Sequence, residues 1–183
     1  LLARNLIWNK IETYKPADYK DDFISLDEVQ NEITDEDDIV IEYYRSDTSF
    51  VAMILGRELG EIVQIPVTPD LLKYIGDYSQ SISNSNDKHS RQLFNTFVVS
   101  SNQLYKSLFS PMLDVVSRKC PLAPDAYNYT IVADGELSFL PFEAFTTNLA
   151  DTSALSYWSL PYVCKEYVIN YAFSLNVQKG NRA

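Results

Sequence analysis

The sequence predicts an α/β protein built on one mixed sheet, and two patterns carry that prediction. Three β-rich runs follow one another through short connections, at residues 39–45, 49–55 and 61–66, which is typical of an antiparallel meander. Helical patterns then separate two further β-branched and aromatic runs, at residues 129–133 and 167–173. Because long helical connections favour parallel strands, we expect an antiparallel amino-terminal meander, flanking helices and later parallel strands.

Two short helices are predicted before the meander. Apolar residues recur at helical spacing in residues 2–14. Ser25 and Glu28 have the spacing of a capping box, which predicts a helix from that point. The acidic run at residues 35–38 suggests calcium binding, but it lacks the spaced acids and the glycine of an EF-hand loop. We therefore interpret that run as a solvated turn before the first strand.

Helical patterns also occupy the region between the third and fourth strands. The first spans residues 70–82, and its apolar stripe consists of Leu71, Leu72, Ile75 and Tyr78. A second stripe resumes after Ser90 and runs to Val116. Ser110 and Pro111 stand as an N-cap and a first helical position, so the sequence predicts two helices in succession there.

The most informative stretch follows the fourth strand. Asp134 and Gly135 end that strand, because Gly135 can adopt a positive φ and Asp134 can hydrogen-bond the backbone of the turn. A dense set of apolar side chains then surrounds Pro141. Its members are Leu137, Phe139, Leu140, Phe142 and Phe145. This is too much apolar surface for an exposed loop, so we expect the segment to lie against the sheet.

Composition narrows the classes of function. A chain of 183 residues suits one domain with a sizeable core. Its net charge of -10 argues against nucleic acid or an anionic membrane as a partner. No apolar run approaches the ~20 residues that span a bilayer. Two cysteines are too few for a disulfide framework, which favours a reducing, cytoplasmic compartment. The start without Met leads us to expect a piece of a longer chain.

Few residues are candidates for catalysis. The only histidine, His89, has no acid or thiol spaced as a partner, so we interpret it as a surface residue. Cys120 and Cys164 lack a neighbouring base, and Lys165 would point away from Cys164 on a strand. We interpret both cysteines as packing residues, with a disulfide between them as the alternative. Without a glycine-rich phosphate loop, a nucleophile elbow or a metal-ligand cluster, we expect no catalytic residue, metal or cofactor.

Asp134 and Glu143 are the remaining candidates for acid or base work. Paired catalytic carboxylates need a cleft that shifts their pKa values, which the sequence does not show. The structural interpretation is simpler: Asp134 satisfies the turn, and Glu143 caps or salt-bridges the following segment.

Residues 131–145 resemble the strand-and-turn signature of CHAT domains, which are caspase-like, separase-related domains often found after tetratricopeptide repeats. The core of the resemblance consists of Asp134, Gly135, Leu137, Leu140, Pro141, Phe142 and Glu143. Residues 104–112 are similar to the family's Leu-Tyr helix that runs into a Pro, and residues 162–175 to the strand that closes its first half. Residues 25–30 and 41–44 resemble its opening helix and first strand.

The resemblance covers residues 14–177 and implies a domain organisation. Residues 1–14 would end a preceding helical region, and residues 15–183 would form the amino-terminal, pseudo-caspase half of a CHAT domain. The family's catalytic histidine and cysteine lie on two later strands, in His-Gly and Ser-Ala-Cys motifs that this chain lacks. The resemblance therefore implies a half-domain without a catalytic dyad.

Two functions follow from the resemblance. The first is a non-catalytic subdomain that supports the catalytic half of a caspase-like cysteine peptidase. The alternative is a non-enzymatic protein-interaction module from a CHAT protein without a working dyad. The expected partners are the carboxy-terminal half of the same domain, upstream helical repeats and a second copy of the chain, because sheet edges that the other half normally covers would be open.

Overall fold

The computed structural model of the chain describes residues 30, 36–83, 91–150, 152, 153 and 155–172. A five-stranded mixed sheet forms its centre, with the strand order β3-β2-β1-β4-β5. The strands are β1 (Asp38–Arg45), β2 (Ser49–Leu55), β3 (Gly60–Pro66), β4 (Asn128–Ala133) and β5 (Val168–Tyr171). The helix predicted at residues 2–14 and His89 lie outside the described residues, and of the helix predicted from Ser25 only Gln30 is described, with a helical backbone.

The antiparallel meander of β1, β2 and β3 is confirmed. Arg45 lies opposite Phe50 across the first hairpin, and the Ser46 N–H donates to the Ser49 carbonyl at 2.8 Å. Gly56 and Leu59 exchange backbone hydrogen bonds in the second hairpin. These short connections leave no room for a crossover, which is why the three strands alternate in direction.

The later strands are parallel, as predicted. β4 pairs with β1 and β5 pairs with β4, both in parallel register, with Ile131 opposite Ile41 on one side and opposite Tyr171 on the other. β5 is shorter than predicted at residues 167–173, and Phe173 lies outside the described residues.

Among the described residues, three α-helices lie between β3 and β4: α1 (Pro69–Ser83), α2 (Arg91–Leu104) and α3 (Ser110–Lys119). Thr68 begins α1, because its hydroxyl accepts the Leu71 N–H at 3.1 Å. The predicted stripe of α1 is confirmed except at Leu72, which is exposed. No helix in the described ranges is both long and apolar enough to cross a membrane.

The predicted N-cap at Ser110 is wrong, because a π-helical turn, Tyr105–Phe109, joins α2 directly to α3. Ser110 has helical dihedral angles, and its N–H donates to the Tyr105 carbonyl five residues earlier. The wider turn accommodates Pro111, which has no N–H and whose ring would clash with a carbonyl four residues earlier in an α-helix. The sequence signal of a Ser-Pro pair therefore marks a change of helical pitch here.

The main core lies between the helices and one face of the sheet. Its largest fully buried side chains include Tyr43, Phe50, Tyr78, Phe94, Phe109, Tyr129, Phe142 and Phe145. The Tyr43 hydroxyl donates to the Leu108 carbonyl in the π-helical turn at 2.5 Å, so the central strand is tied to the helices by a buried hydrogen bond. Burial raises the pKa of the Tyr43 hydroxyl, because a phenolate there would lose its hydration.

The opposite face of the sheet carries a smaller apolar cluster of Val40, Leu55 and Val132. Glu42 lies opposite Met53 on one side and Val132 on the other. Burial among these groups raises the pKa of the Glu42 carboxyl, because the charged form is poorly hydrated.

Candidate functional site

The candidate site is the end of the sheet where the parallel strands β1, β4 and β5 terminate. In open α/β sheets, ligand sites lie beyond the carboxyl ends of the strands, at the point where the chain changes its direction of growth. Here that point falls between β1 and β4, since the chain first builds outward to β3 and then to β5. We call this region the carboxyl-end site and define it as Arg45, residues 134–145 and Tyr171.

The Asp-Gly turn has the predicted geometry. Gly135 adopts a φ of 59°, the left-handed conformation that favours glycine. Asp134 is extended, and its Oδ1 accepts the Gly135 N–H at 2.7 Å. The Ser138 hydroxyl then donates to the Gly135 carbonyl at 2.7 Å, which closes the following 3-10 turn. The turn is therefore satisfied by its own side chains.

Arg45, the last residue of β1, attaches this turn to the neighbouring strand. Its Nε lies 3.1 Å from Oε1 of Glu136. Its Nη1 donates to the Ser46 carbonyl at 2.7 Å, and the guanidinium lies 4.9 Å from the centre of the Phe50 ring. The guanidinium is thus fixed by an ion pair, a backbone acceptor and an aromatic face at once.

Four of the five predicted apolar residues of the segment are buried: Leu137, Leu140, Phe142 and Phe145. The prediction is wrong for Phe139, whose side chain is 85% exposed. The reason is local geometry: the 3-10 turn of Gly135–Leu137 brings Leu137 and Leu140 inward, and the Leu140 N–H donates to the Leu137 carbonyl at 3.1 Å. Phe139 falls between these two inward positions and points into solvent.

Aromatic side chains of the sheet and of α1 hold the buried part of the segment. The Phe142 ring lies 5.3 Å from the Tyr43 ring and 4.9 Å from the Phe145 ring. The Tyr78 hydroxyl of α1 donates to the Pro141 carbonyl at 3.0 Å. Burial raises the pKa of this hydroxyl, and the charge of Glu143 adds to that rise. These aromatic side chains therefore pack in the core and also fix the backbone of the segment.

Glu143 and Tyr171 connect the segment to β5. The Tyr171 hydroxyl donates to Oε2 of Glu143 and accepts the Phe142 N–H at 2.7 Å. Burial raises the pKa of the Tyr171 hydroxyl, and its hydrogen bond to the Glu143 carboxylate raises it further. Glu143 thus has a structural partner, although that partner is a tyrosine on β5 rather than the cap or salt bridge expected from the sequence.

The two candidate carboxylates do not form a catalytic pair in the described structure. Asp134 is bound to its own turn and Glu143 to Tyr171, so each has a separate structural partner. Across the described residues, no group of three or more His, Cys, Asp or Glu side chains is arranged to hold a metal ion. The polar groups of the carboxyl-end site bind one another.

The cysteines differ from each other. Cys120 is partly buried against the core, as predicted, and burial raises the pKa of its thiol, which lowers the thiolate fraction. The prediction of a packing role is wrong for Cys164, which is exposed. It lies in a 3-10 turn, Val163–Lys165, rather than on a strand, and the chain turns it outward while Val163 is buried. Both thiols are free, so the alternative of a disulfide between them is also wrong.

Sequence reasoning missed Arg45 and Tyr171 as members of the carboxyl-end site, and it missed the hydrogen bond that Tyr78 donates to this site. Arg45 gives a weak signal. It is a charged residue at the end of a strand, and the predicted topology places that strand beside the next parallel strand. Tyr171 gives no comparable signal, since tyrosine is common in strands.

These side chains form a set of tethers that fix an apolar segment across three strand ends. Scans of the chain against protein-family models and against curated proteins find no match.

Proposed function

We propose that this chain is the amino-terminal, non-catalytic half of a CHAT-type, caspase-like domain, which supports a catalytic half contributed by further polypeptide. The observation that carries the proposal is the position of β5. It is the last strand in the order β3-β2-β1-β4-β5 and runs parallel to β4. Further strands could therefore continue the sheet in the same direction through right-handed crossovers.

The roles of the motif residues also support the proposal. Gly135 provides the left-handed turn, and Leu137, Leu140 and Phe142 fill the core beneath it. Glu143 accepts the hydrogen bond from β5. These roles are structural. They fit a motif that supports an active site and contributes no reacting group to it.

A non-catalytic role fits the environment of the thiols. Burial raises the pKa of the Cys120 thiol, the opposite of what a nucleophile needs. Lys165, next to Cys164, donates its Nζ to the carbonyls of Leu160 and Trp158 at 2.7 and 3.2 Å. Its ammonium is therefore committed to the backbone of the preceding turn.

A non-enzymatic interaction module is the alternative, and two exposed aromatic residues favour it. Trp158 is 93% exposed although its turn is fixed by Tyr157, whose ring lies 4.8 Å from that of Phe94. Phe139 is almost as exposed on the carboxyl-end site. Rigid, exposed aromatic side chains are typical anchors of protein interfaces.

The two functions predict different sequences for any polypeptide after Ala183. A strand ending in His-Gly and another ending in Cys would favour the peptidase half.

The chain on its own should show no peptidase activity. We expect turnover of a broad peptide library to equal that of a buffer blank, because burial raises the pKa of the Cys120 thiol and the Lys165 ammonium beside Cys164 is bound to backbone carbonyls. A thiol-reactive inhibitor should change nothing. Turnover that disappears in Cys120→Ala or Cys164→Ala would refute the proposal, because it would identify a working nucleophile within the chain.

A further inference from the structure

The two edges of the sheet differ in how they are protected. On β3, the Val67 N–H donates inward to the Thr48 carbonyl at 2.9 Å. Because backbone groups alternate in direction along a strand, Pro66 faces outward, where its missing N–H interrupts any further pairing. Lys119 of α3 reaches Glu61 of this strand at 3.1 Å and adds charge to the same edge. Proline and charge are the usual means of blocking an edge.

β5 lacks both forms of protection. The Ala172 N–H donates inward to the Ile131 carbonyl at 3.0 Å, so the backbone groups of Ile169 and Tyr171 face outward. Val168–Tyr171 contains no proline and no charged residue. Among the described strands β4 is the only neighbour of β5, and this outer edge has none.

The side chains of this edge are also incompletely buried. Val168 is 55% exposed and Tyr171 is 51% exposed, while Ile169 and Tyr167 are only partly buried against the core. Tyr167 contacts Phe109 and Tyr129, with ring centres 5.7 and 5.9 Å apart. The apolar core therefore extends to the β5 edge, where an added strand would remove apolar surface from water.

We propose that two copies of this chain pair through the outer edges of β5, antiparallel, with a two-fold axis at Asn170. Ile169 of each copy then lies opposite Tyr171 of the other, and the outward groups of both pairs exchange backbone hydrogen bonds. Asn170 lies opposite Asn170 of the second copy in a non-hydrogen-bonded pair, with Cα atoms about 4.5 Å apart. The two sheets join into one.

A second copy suits this edge because it brings the same unprotected, uncharged edge, so one contact covers both. The net charge of -10 opposes self-association, but the paired strands carry no charge. In this register the two copies of Glu166 lie eight residues apart, about 27 Å along the strands. At that distance their repulsion is largely screened at physiological salt. The proposed function assigns the same β5 edge to further polypeptide, so the two occupants compete, and the pairing is proposed for residues 1–183 alone.

Cysteine cross-linking tests the register directly. In a background with Cys120→Ala and Cys164→Ala, Asn170→Cys should form an intermolecular disulfide under mild oxidation, because the Cα spacing across the axis suits the bond. Val168→Cys is the matched control: its side chain is exposed on the same strand, but the two copies would be about 14 Å apart. We expect about tenfold less cross-linked dimer from the control, because Cα atoms more than 7 Å apart cannot be bridged.

Light scattering on the same proteins before oxidation completes the test. A mass that rises with concentration, together with cross-linking at position 170 and little at 168, supports the two-fold pairing. Equal cross-linking at both positions would overturn it, because contact would then be random or in another register. A protein that stays monomeric and forms no disulfide at either position would overturn it as well.

Discussion

Phe142→Ala should lower the free energy of unfolding by about 3–5 kcal/mol, the usual cost of truncating a fully buried phenylalanine. The Phe142 side chain is fully buried, and its ring contacts those of Tyr43 and Phe145. Removing it would leave a cavity beneath the carboxyl-end site, where the main-chain tethers to Tyr78 and Tyr171 limit collapse. Denaturant unfolding of the variant and the natural chain measures the loss.

Phe139→Ala is the matched control for that experiment. It removes the same atoms three residues earlier in the same segment, from a side chain that is 85% exposed. We expect its effect on the free energy of unfolding to be within about 0.5 kcal/mol, as for most surface substitutions. Equal losses for the two variants would mean that the segment does not pack with Phe142 inward and Phe139 outward.

Gly135→Val should destabilise the chain by about 1–3 kcal/mol, because a β-branched residue fits poorly at a positive φ. The strain is conformational and not a matter of space: an added Cβ would meet only the Arg45 Cβ, at 3.9 Å. The thermal midpoint of unfolding should fall accordingly.

Two controls separate backbone strain from the loss of a glycine as such. Gly135→Asn should cost less than the valine variant, because asparagine tolerates the left-handed region. Gly76→Ala should stabilise the chain by about 0.5–1 kcal/mol, since Gly76 is inside α1 and an added Cβ meets nothing within 4 Å. An unchanged midpoint for Gly135→Val would show that the turn is not left-handed in solution.

The order and direction of the strands could be predicted because they depend on local signals. Short connections fix the meander, and the Asp-Gly pair ends β4 where a glycine is needed at positive φ. The predictions failed where a local turn changes the position of a single residue. Ser110 looks like a cap, but a π-helical turn absorbs Pro111 without ending the helix. Phe139 looks like a core residue, but the 3-10 turn directs it outward.

The tethers of the carboxyl-end site could not be predicted, because they join residues that are distant in sequence. Arg45 and Glu136 meet only because β1 and β4 are neighbours in the sheet. Glu143 and Tyr171 meet only because β5 lies beside β4. Neither pair has a sequence spacing that signals contact, whereas the capping and turn patterns operate within a few residues.

We propose that the sheet of this chain is half of a larger sheet, completed beyond β5. Light scattering over a dilution series, with and without the further polypeptide that this proposal requires, tests it most directly. Alone, the chain should shift from its monomer mass of 20.9 kDa toward twice that value as concentration rises. With that polypeptide added, self-association should give way to a one-to-one heterodimer, because a better-matched apolar face would cover the same edge. A chain that stays at 20.9 kDa at every concentration and ignores the added polypeptide would contradict the claim.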